Sequence, residues 1–302
     1  MINDPRLKRN KLGFFEVVNK PTQEELNSYY ADKYFQQAEG SIQRTYNEDE
    51  LRYIGLKNKQ RSFLVERLTK KTDGKMLDVG CGEGFTLKHY FDLGWWVRGI
   101  DFSKAGLETQ NPDMLKYVDI GDIYEKLIRY KKSSRRFDVI YLSNVLEHVV
   151  DPITLLNDLK NIISEEGVLV ATVPNDGSDL QEYCLSNSLI PDRFWIAPPA
   201  HMSYFSYESL QSISNNTGWH CADIIADFPI DLYLLHKGSN YVVQKNNGKP
   251  AHQARIATEI ILSDRDIVDV IDFYRAMAKV GMGRDLTAFL SPLQKQFKSF
   301  IF

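Results

Sequence analysis

From residue 74 to residue 173 the chain alternates short apolar runs with amphipathic stretches. Met76-Leu77-Asp78-Val79 reads as a strand, 85–93 as a helix, 95–101 as a strand and 103–109 as a short helix. Residues 114–119 carry a weak strand signal, and 137–143 (FDVIYLS) a strong buried one. A helix over 152–163 stops near Gly167, and 168–173 (VLVATV) is the fifth strand. Strands and helices alternating at this pitch predict an α/β fold with a doubly wound, mostly parallel sheet. On either side the pattern is helical. Leu51, Ile54, Phe63, Leu64 and Leu68 recur at near-helical spacing before Asp73-Gly74, and Thr22, followed by Glu24 and Glu25, marks an earlier helix start. Residues 174–206 show no period and hold Pro174, Pro191, Pro198 and Pro199. A helix over 207–217 follows, then a candidate final strand pair at 220–226 and 230–235, the last of them antiparallel. From Ala251 onward Ile256, Ile260, Ile261, Ile267, Val270, Ile271 and Tyr274 predict helix to the end. Three units are expected: a helical segment at 1–73 serving as a lid or cap, a ligand-binding domain at 74–240, and a helical extension at 241–302.

Composition narrows the partners. The net charge is −3, so nothing calls for a nucleic acid, which needs a basic excess. Three scattered cysteines, Cys81, Cys184 and Cys221, make no disulfide framework and fit a reducing cytoplasm. The first twenty residues carry five Lys and Arg and no apolar core of a signal peptide. No apolar run reaches the roughly 18 residues a membrane span needs, so insertion is not expected.

The chemistry concentrates in Asp78-Val79-Gly80-Cys81-Gly82-Glu83-Gly84, set between a strand and a helix. Alternate glycines let the backbone turn sharply and approach a ligand closely. Asp101 ends the next strand, where a carboxylate can accept both ribose hydroxyls of an adenosine. A turn serving packing alone does not call for that acid. Glu83 reads as a first-turn acid. Cys81 reads as a small filler, because a reactive thiol needs an electropositive setting.

LDVGCGEG, GIDFS, FDVIYLSNVLEHVVDP and GVLVATVPN, in this order and spacing, resemble class I S-adenosylmethionine-dependent methyltransferases, over about residues 74–236. The resemblance implies a Rossmann-like sheet with S-adenosylmethionine as cofactor. It implies that Gly80, Gly82 and Gly84 line the methionine and ribose, with Cys81 and Phe102 in the same loops. Asp78 would hold the amino-acid end, Asp101 the ribose, and Asp122 with Ile123 the adenine. Asn144 and His148 would face the pocket. Asp122 as a turn residue, Asn144 as a helix cap and His148 as a structural histidine are the plain alternatives.

The acceptor is expected after the fifth strand. Asn175 and Asp176 follow it, and His201 stands in PAHMSYFS, a stretch resembling that of methyltransferases of bacterial surface-glycan and small-molecule biosynthesis. His201 and Asp176 are the catalytic candidates, since a hydroxyl acceptor benefits from a general base. Tyr30, Asn175, Arg193 and Tyr204 are candidate acceptor contacts, and Tyr29, Tyr34 and Phe35 candidate lid residues. The six histidines form no HxxxH or HxH pair, so no metal set is expected. These readings point to methylation of a small molecule by a cytoplasmic monomer or homodimer. The acceptor expected first is a sugar, nucleotide sugar, or capsule or lipopolysaccharide precursor. A quinone, lipid-like or secondary metabolite is the second possibility. A non-catalytic scaffold keeping the cofactor fold is a third. A nicotinamide enzyme fits poorly, because the turn is GxGxG and no YxxxK pair occurs.

Overall fold

The structure, a computed structural model, describes residues 2–22, 24–26, 28–29 and 45–293. Tyr30, Tyr34 and Phe35 lie outside the described residues.

Two short strands, β1 (Leu7–Arg9) and β2 (Phe15–Val17), open the chain as an antiparallel hairpin. Thr22 then caps as its sequence predicts: its hydroxyl accepts from Glu25 N at 3.2 Å, and Glu25 Oε2 accepts from Thr22 N at 2.8 Å. Helix α1 (Glu48–Thr69) starts on a second capping box, formed by Asn47 and Glu50.

The sheet begins with β3 (Lys75–Val79), followed by α2 (Phe85–Asp92), β4 (Trp96–Asp101), α3 (Ala105–Gln110) and β5 (Val118–Ile120). Next come α4 (Ile123–Lys132), β6 (Phe137–Ser143), α5 (Pro152–Lys160) and β7 (Ile163–Pro174). After these stand α6 (Asp179–Ser186), β8 (Ser203–Tyr204), α7 (Tyr207–Asn216) and β9 (Trp219–Ala226). Helices α8 (Gly248–Leu262) and α9 (Ile267–Lys279) precede β10 (Asp285–Pro292).

Seven strands form one sheet in the order β5-β4-β3-β6-β7-β10-β9. The first five are parallel, and β10 runs antiparallel to both of its neighbours. Side chains alternate across it. Leu77, Val79, Ile140, Leu142, Leu169 and Ala171 enter one apolar cluster with Leu155, Leu159 and Trp219. Met76, Val139, Tyr141, Val168 and Val170 enter the other with Ile271 and Tyr274. Both faces are buried, which explains why these strands read as continuous apolar runs. The chain leaves β3 toward β4 on one side and resumes beside β3 as β6 on the other. The crevice between the carboxyl ends of β3 and β6 is therefore a switch point, where open α/β sheets bind ligands.

The mixed α/β sheet with its antiparallel strand agrees with the sequence reading, but the identity of that strand does not. Residues 230–235 form a short 3₁₀ turn, not a strand. The antiparallel strand is β10, inside the segment read as helical to its end. Its DLTAFLSP is almost wholly buried and has no two-residue alternation, so the helical period of α8 and α9 ran on into it unopposed. Residues 114–119 are mostly a 3₁₀ turn before the three-residue β5. The helix expected to reach 163 stops at Lys160, and β7 is twelve residues long. The aperiodic stretch at 174–206 contains α6, capped by Ser178, and β8, which pairs with β2.

Candidate functional site

The glycine turn leaves β3 at the switch point. Gly80, Gly82 and Gly84 all take left-handed φ, at 76°, 54° and 78°. They serve different ends. A Cβ on Gly80 would collide with Val145 Cγ2, and one on Gly84 would meet Leu107 Cδ2 at 2.6 Å. A Cβ on Gly82 would meet nothing within 4 Å, so its backbone is bare toward open space. Asp101, at the end of the adjacent β4, accepts from Gly82 N at 2.7 Å and from Ser103 N at 2.9 Å. Burial pushes its carboxyl up, against the lowering pull of the N–H groups of Ser103, Gly82 and Phe102. Phe102 is 36% exposed beside it.

Asp78 lies in β3, two residues before Gly80. Its Oδ1 is buried without a hydrogen-bond partner. Burial, with the Asp101 charge second, pushes its carboxyl up to about 7. An orphaned carboxylate oxygen beside a bare glycine backbone fits a ligand carrying an ammonium group and a ribose. Cys81 is buried, and burial followed by the Asp78 and Asp101 charges pushes its thiol well above its ordinary value. That supports the reading of Cys81 as filler. On the outer rim Asp122 caps α4 by accepting from Glu125 N at 3.1 Å, with Ile123 half-buried next to it. Glu83 is not the first-turn acid its sequence suggests, since it precedes the N-cap Gly84 of α2; its Oε2 accepts from Tyr46 Oη at 2.7 Å.

The segment after β6 forms the opposite wall. Asn144 is exposed and left-handed at φ 55°, a conformation asparagine tolerates, and caps no helix. Val145 packs beside Gly80, and Glu147 and His148 follow. His148 Nδ1 lies 2.6 Å from Ala200 O and its Nε2 3.6 Å from Glu147 Oε1. The rings of His148 and His201 meet edge to face, with centroids 4.9 Å apart. His201 Nδ1 lies 3.3 Å from Asp176 Oδ2, and Asp176 Oδ1 accepts from Arg284 Nη1 at 2.5 Å. Burial works to raise Asp176, but Arg284 and His201 together hold it below the usual carboxylate range. Glu147 is 1% exposed and neither of its carboxyl oxygens has a hydrogen-bond partner. Burial pushes it up to about 8, against the lowering pull of its own backbone N–H, with Asp285 and Asp176 adding to the rise.

The structure thus brings the catalytic candidates His201 and Asp176 into contact. It turns three candidate acceptor contacts inward. Arg193 makes a two-pronged ion pair with Glu182, both bonds at 2.8 Å. Asn175 donates to the carbonyls of Gly281 and Gly283 at 3.0 and 3.1 Å. Tyr204 is buried, donating to His201 O at 3.0 Å and accepting from Ala197 N at 3.3 Å. Their polar groups hold the loop between β7 and β8 in shape. Glu147 escaped the sequence reading, although an acid in the apolar run VLEHVV was the available signal. With His148 and His201 it places three ligand-type atoms within 4.8 Å of one another, a set that histidine spacing along the chain does not show.

Comparisons with known proteins agree with this geometry. A family model described as "Methyltransferase domain" matches residues 45–223. The chain is 29% identical over 125 residues to a ubiquinone biosynthesis O-methyltransferase of Pasteurella multocida (strain Pm70), covering 38% of this chain and 52% of that protein. It is 31% identical over 123 residues to the protein of the same name from Actinobacillus pleuropneumoniae serotype 5b (strain L20), covering 37% and 52%. The chain spans about half the length of the curated relatives it matches. Among solved structures, the plantazolicin methyltransferase BpumL, in complex with a monoazolic desmethylPZN analog and SAH, superposes with a TM-score of 0.51 at 18% identity, over 89% of this chain and 96% of that one, a likeness of fold. With the family match spanning more than half of its residues, this chain belongs to the methyltransferase domain family.

Proposed function

We propose that the protein transfers a methyl group from S-adenosylmethionine to an oxygen of a small acceptor. The observation that carries this reading is the pairing of Asp101, bonded to Gly82 N and Ser103 N, with the orphaned oxygen of Asp78 beneath it. Asp101 accepts the ribose hydroxyls, Gly82 leaves room for the chain between ribose and methionine, and Asp78 receives the ammonium. Gly80 and Gly84 shape the turn. Phe102 lies against the adenine, and Asp122 with Ile123 closes its rim. Asn144 presents backbone and side chain to the pocket.

Bound S-adenosylmethionine supplies a methyl group already activated on a sulfonium. The chain's own residues position the acceptor and handle its proton. Asp176, fixed by Arg284, accepts a hydrogen bond from the Nδ1–H of His201 and so leaves the lone pair on Nε2. A hydroxyl there is deprotonated as its oxygen is alkylated. An acceptor held in line with the methyl gains most of its rate from that alignment.

The relatives' name favours a hydroxylated aromatic of quinone-precursor type over a nucleotide sugar or glycan precursor. The structure adds weight on the same side, because the residues expected to grip a sugar or anion, Arg193, Asn175 and Tyr204, are bonded within the protein. Calorimetry with S-adenosylmethionine on wild type and Asp101→Ala tests the cofactor, and label transfer from methyl-labelled cofactor to catechols and nucleotide sugars tests the acceptor. Tight binding weakened at least tenfold by Asp101→Ala, with label on a catechol, supports the reading. A folded protein that does not bind the cofactor refutes it and leaves the scaffold alternative.

A further inference from the structure

We propose that the protein forms a two-fold symmetric dimer through the outer face of α9, which packs antiparallel on α9 of a second copy. The helix lies beyond residues 45–223, the stretch that matches the methyltransferase family. It is two-sided. Val270, Ile271, Tyr274 and Ala278 are buried in the core. The opposite side carries Phe273, 48% exposed, Val280, 72% exposed, and between them the exposed Ala276. Val280 follows the last helical residue, and its N–H still bonds to Ala276 O at 3.3 Å, so it continues the helical path. Asp272 and Lys279 stand exposed beside this apolar strip.

The order of residues on that face is its own complement. At about 100° per residue, Phe273 and Val280 fall on one flank of Ala276, and Asp272 and Lys279 on the other. A two-fold axis perpendicular to two antiparallel helices keeps like flanks together. With the axis at Ala276, residues before it on one helix meet residues after it on the other. Phe273, three positions before Ala276, meets Val280 of the second copy, four positions after it. Asp272, four before, meets Lys279 of the second copy, three after. Each contact occurs twice. Ala276 lies opposite itself, and its single methyl lets the two axes approach to roughly 8 Å.

Charge selects this partner and this orientation. Antiparallel packing sets each Asp272 against a Lys279 and opposes the two helix dipoles. Parallel packing would set Asp272 against Asp272 and Lys279 against Lys279. Asp272 is also held ready. Its Oδ1 pairs with Arg275, and Asp223 in β9 fixes that guanidinium with bonds at 2.9 and 2.7 Å. Its side chain is still 59% exposed, which leaves Oδ2 for the lysine of the second copy. A foreign partner would require no such symmetry about Ala276. The contact is small. One 13-residue helix on its copy buries less than the roughly 800 Å² per partner of a standard interface. The expected Kd is therefore on the order of 10–100 µM. The dimer stands independently of the methyl-transfer reading.

The test is sedimentation velocity on the full chain from about 1 to 200 µM, where a monomer–dimer equilibrium is expected. Ala276→Arg and Asp272→Lys should each weaken the dimer at least tenfold. Asp272→Lys combined with Lys279→Asp should restore it to within about threefold of wild type, because the swapped charges meet again. Circular dichroism checks folding. A second measurement reads the register directly and settles the matter where Asp272→Lys does not fold. Cys81 and Cys184 are buried, and Cys221→Ser removes the half-buried thiol. In that background Ala276→Cys, on the axis, places two sulfur-bearing Cβ atoms about 4 Å apart and should oxidise to a disulfide-linked dimer. Phe273→Cys, off the axis, should not. A monomer throughout the range, a dimer indifferent to Ala276→Arg, no recovery in the double variant, or equal cross-linking through both cysteines overturns the proposal.

Discussion

With Asp78 as the proposed ammonium site, cofactor binding should depend on pH in a direction that follows from the residue's surroundings. In the free protein its carboxyl is buried with one oxygen unpartnered, and burial with the Asp101 charge pushes it up to about 7. At pH 6 it is therefore mostly protonated and neutral. An ammonium group placed against it favours the carboxylate, so binding at pH 6 expels a proton. Each pH unit below 7 then costs about 1.4 kcal/mol, or tenfold in Kd, and the dependence flattens above 7. Calorimetry of S-adenosylmethionine at pH 6.0 and 8.0 should give a Kd about tenfold weaker at the lower pH. Repeating the pH 6.0 titration in buffers of different ionisation enthalpy should show close to one proton released. Asp78→Asn, shaped alike but never charged, should bind weakly and equally at both values. The same raised carboxyl has the opposite effect on stability. The unfolded chain releases this proton near 3.8 and the folded protein holds it to about 7, so stability falls as pH rises through that window and levels off above it. Asp78→Asn should accordingly stabilise the ligand-free protein above pH 7, by on the order of a few kcal/mol. A pH-independent Kd in wild type, or uptake of a proton on binding, would refute the assignment of Asp78 to the ammonium.

Three further outcomes are expected. Gly82→Ala should cost only about 1 kcal/mol in urea unfolding, for its left-handed φ, yet abolish cofactor binding, whereas Gly80→Ala should also destabilise the fold by colliding with Val145. Equal losses of stability in the two variants would show that Gly82 serves packing. Lys57→Met should cost about 3–5 kcal/mol by leaving Glu259 buried among Gln60 and Tyr274 without its cation, and an unchanged urea midpoint would count against that network. Amides of 286–290 should exchange as slowly as those of 168–172, since β10 is bonded on both sides, and exchange within minutes would contradict its place between β7 and β9.

The elements that were legible in the sequence owe their signals to local causes. The strands at 75–79 and 137–143 are buried on both faces and bounded by turn residues. The glycine turn reports its left-handed backbone directly, because glycine alone takes positive φ at alternate positions without steric cost. Asp101 was legible as the acid ending the strand after the glycine turn, and its bond to Gly82 N is what the structure adds. The first hairpin was not. Its strands are three residues long and gain their partner, β8, from nearly 190 residues away.

The acceptor side was hidden for a different reason: its order comes from bonds between distant segments, not from a repeating ladder. Residues 174–206 carry no period because Arg193 pairs with Glu182, Tyr204 with the carbonyl of His201, and Asn175 with the turn at 281–283. A charged or aromatic residue in such a loop looks available for a ligand until its partner is known. Conversely, His148 was legible as a pocket residue only through the family resemblance, and Glu147 beside it, in an apolar run, was not singled out. The same logic joins the far end of the chain to the chemistry. Asp227 accepts from Arg284 N at 2.8 Å and Asp285 N at 2.7 Å, which fixes the entry into β10. The Arg284 side chain then reaches Asp176, and Asp176 reaches His201. The strand inserted between β7 and β9 is therefore more than a cover for the sheet, because its insertion sets the position of His201, the base proposed above.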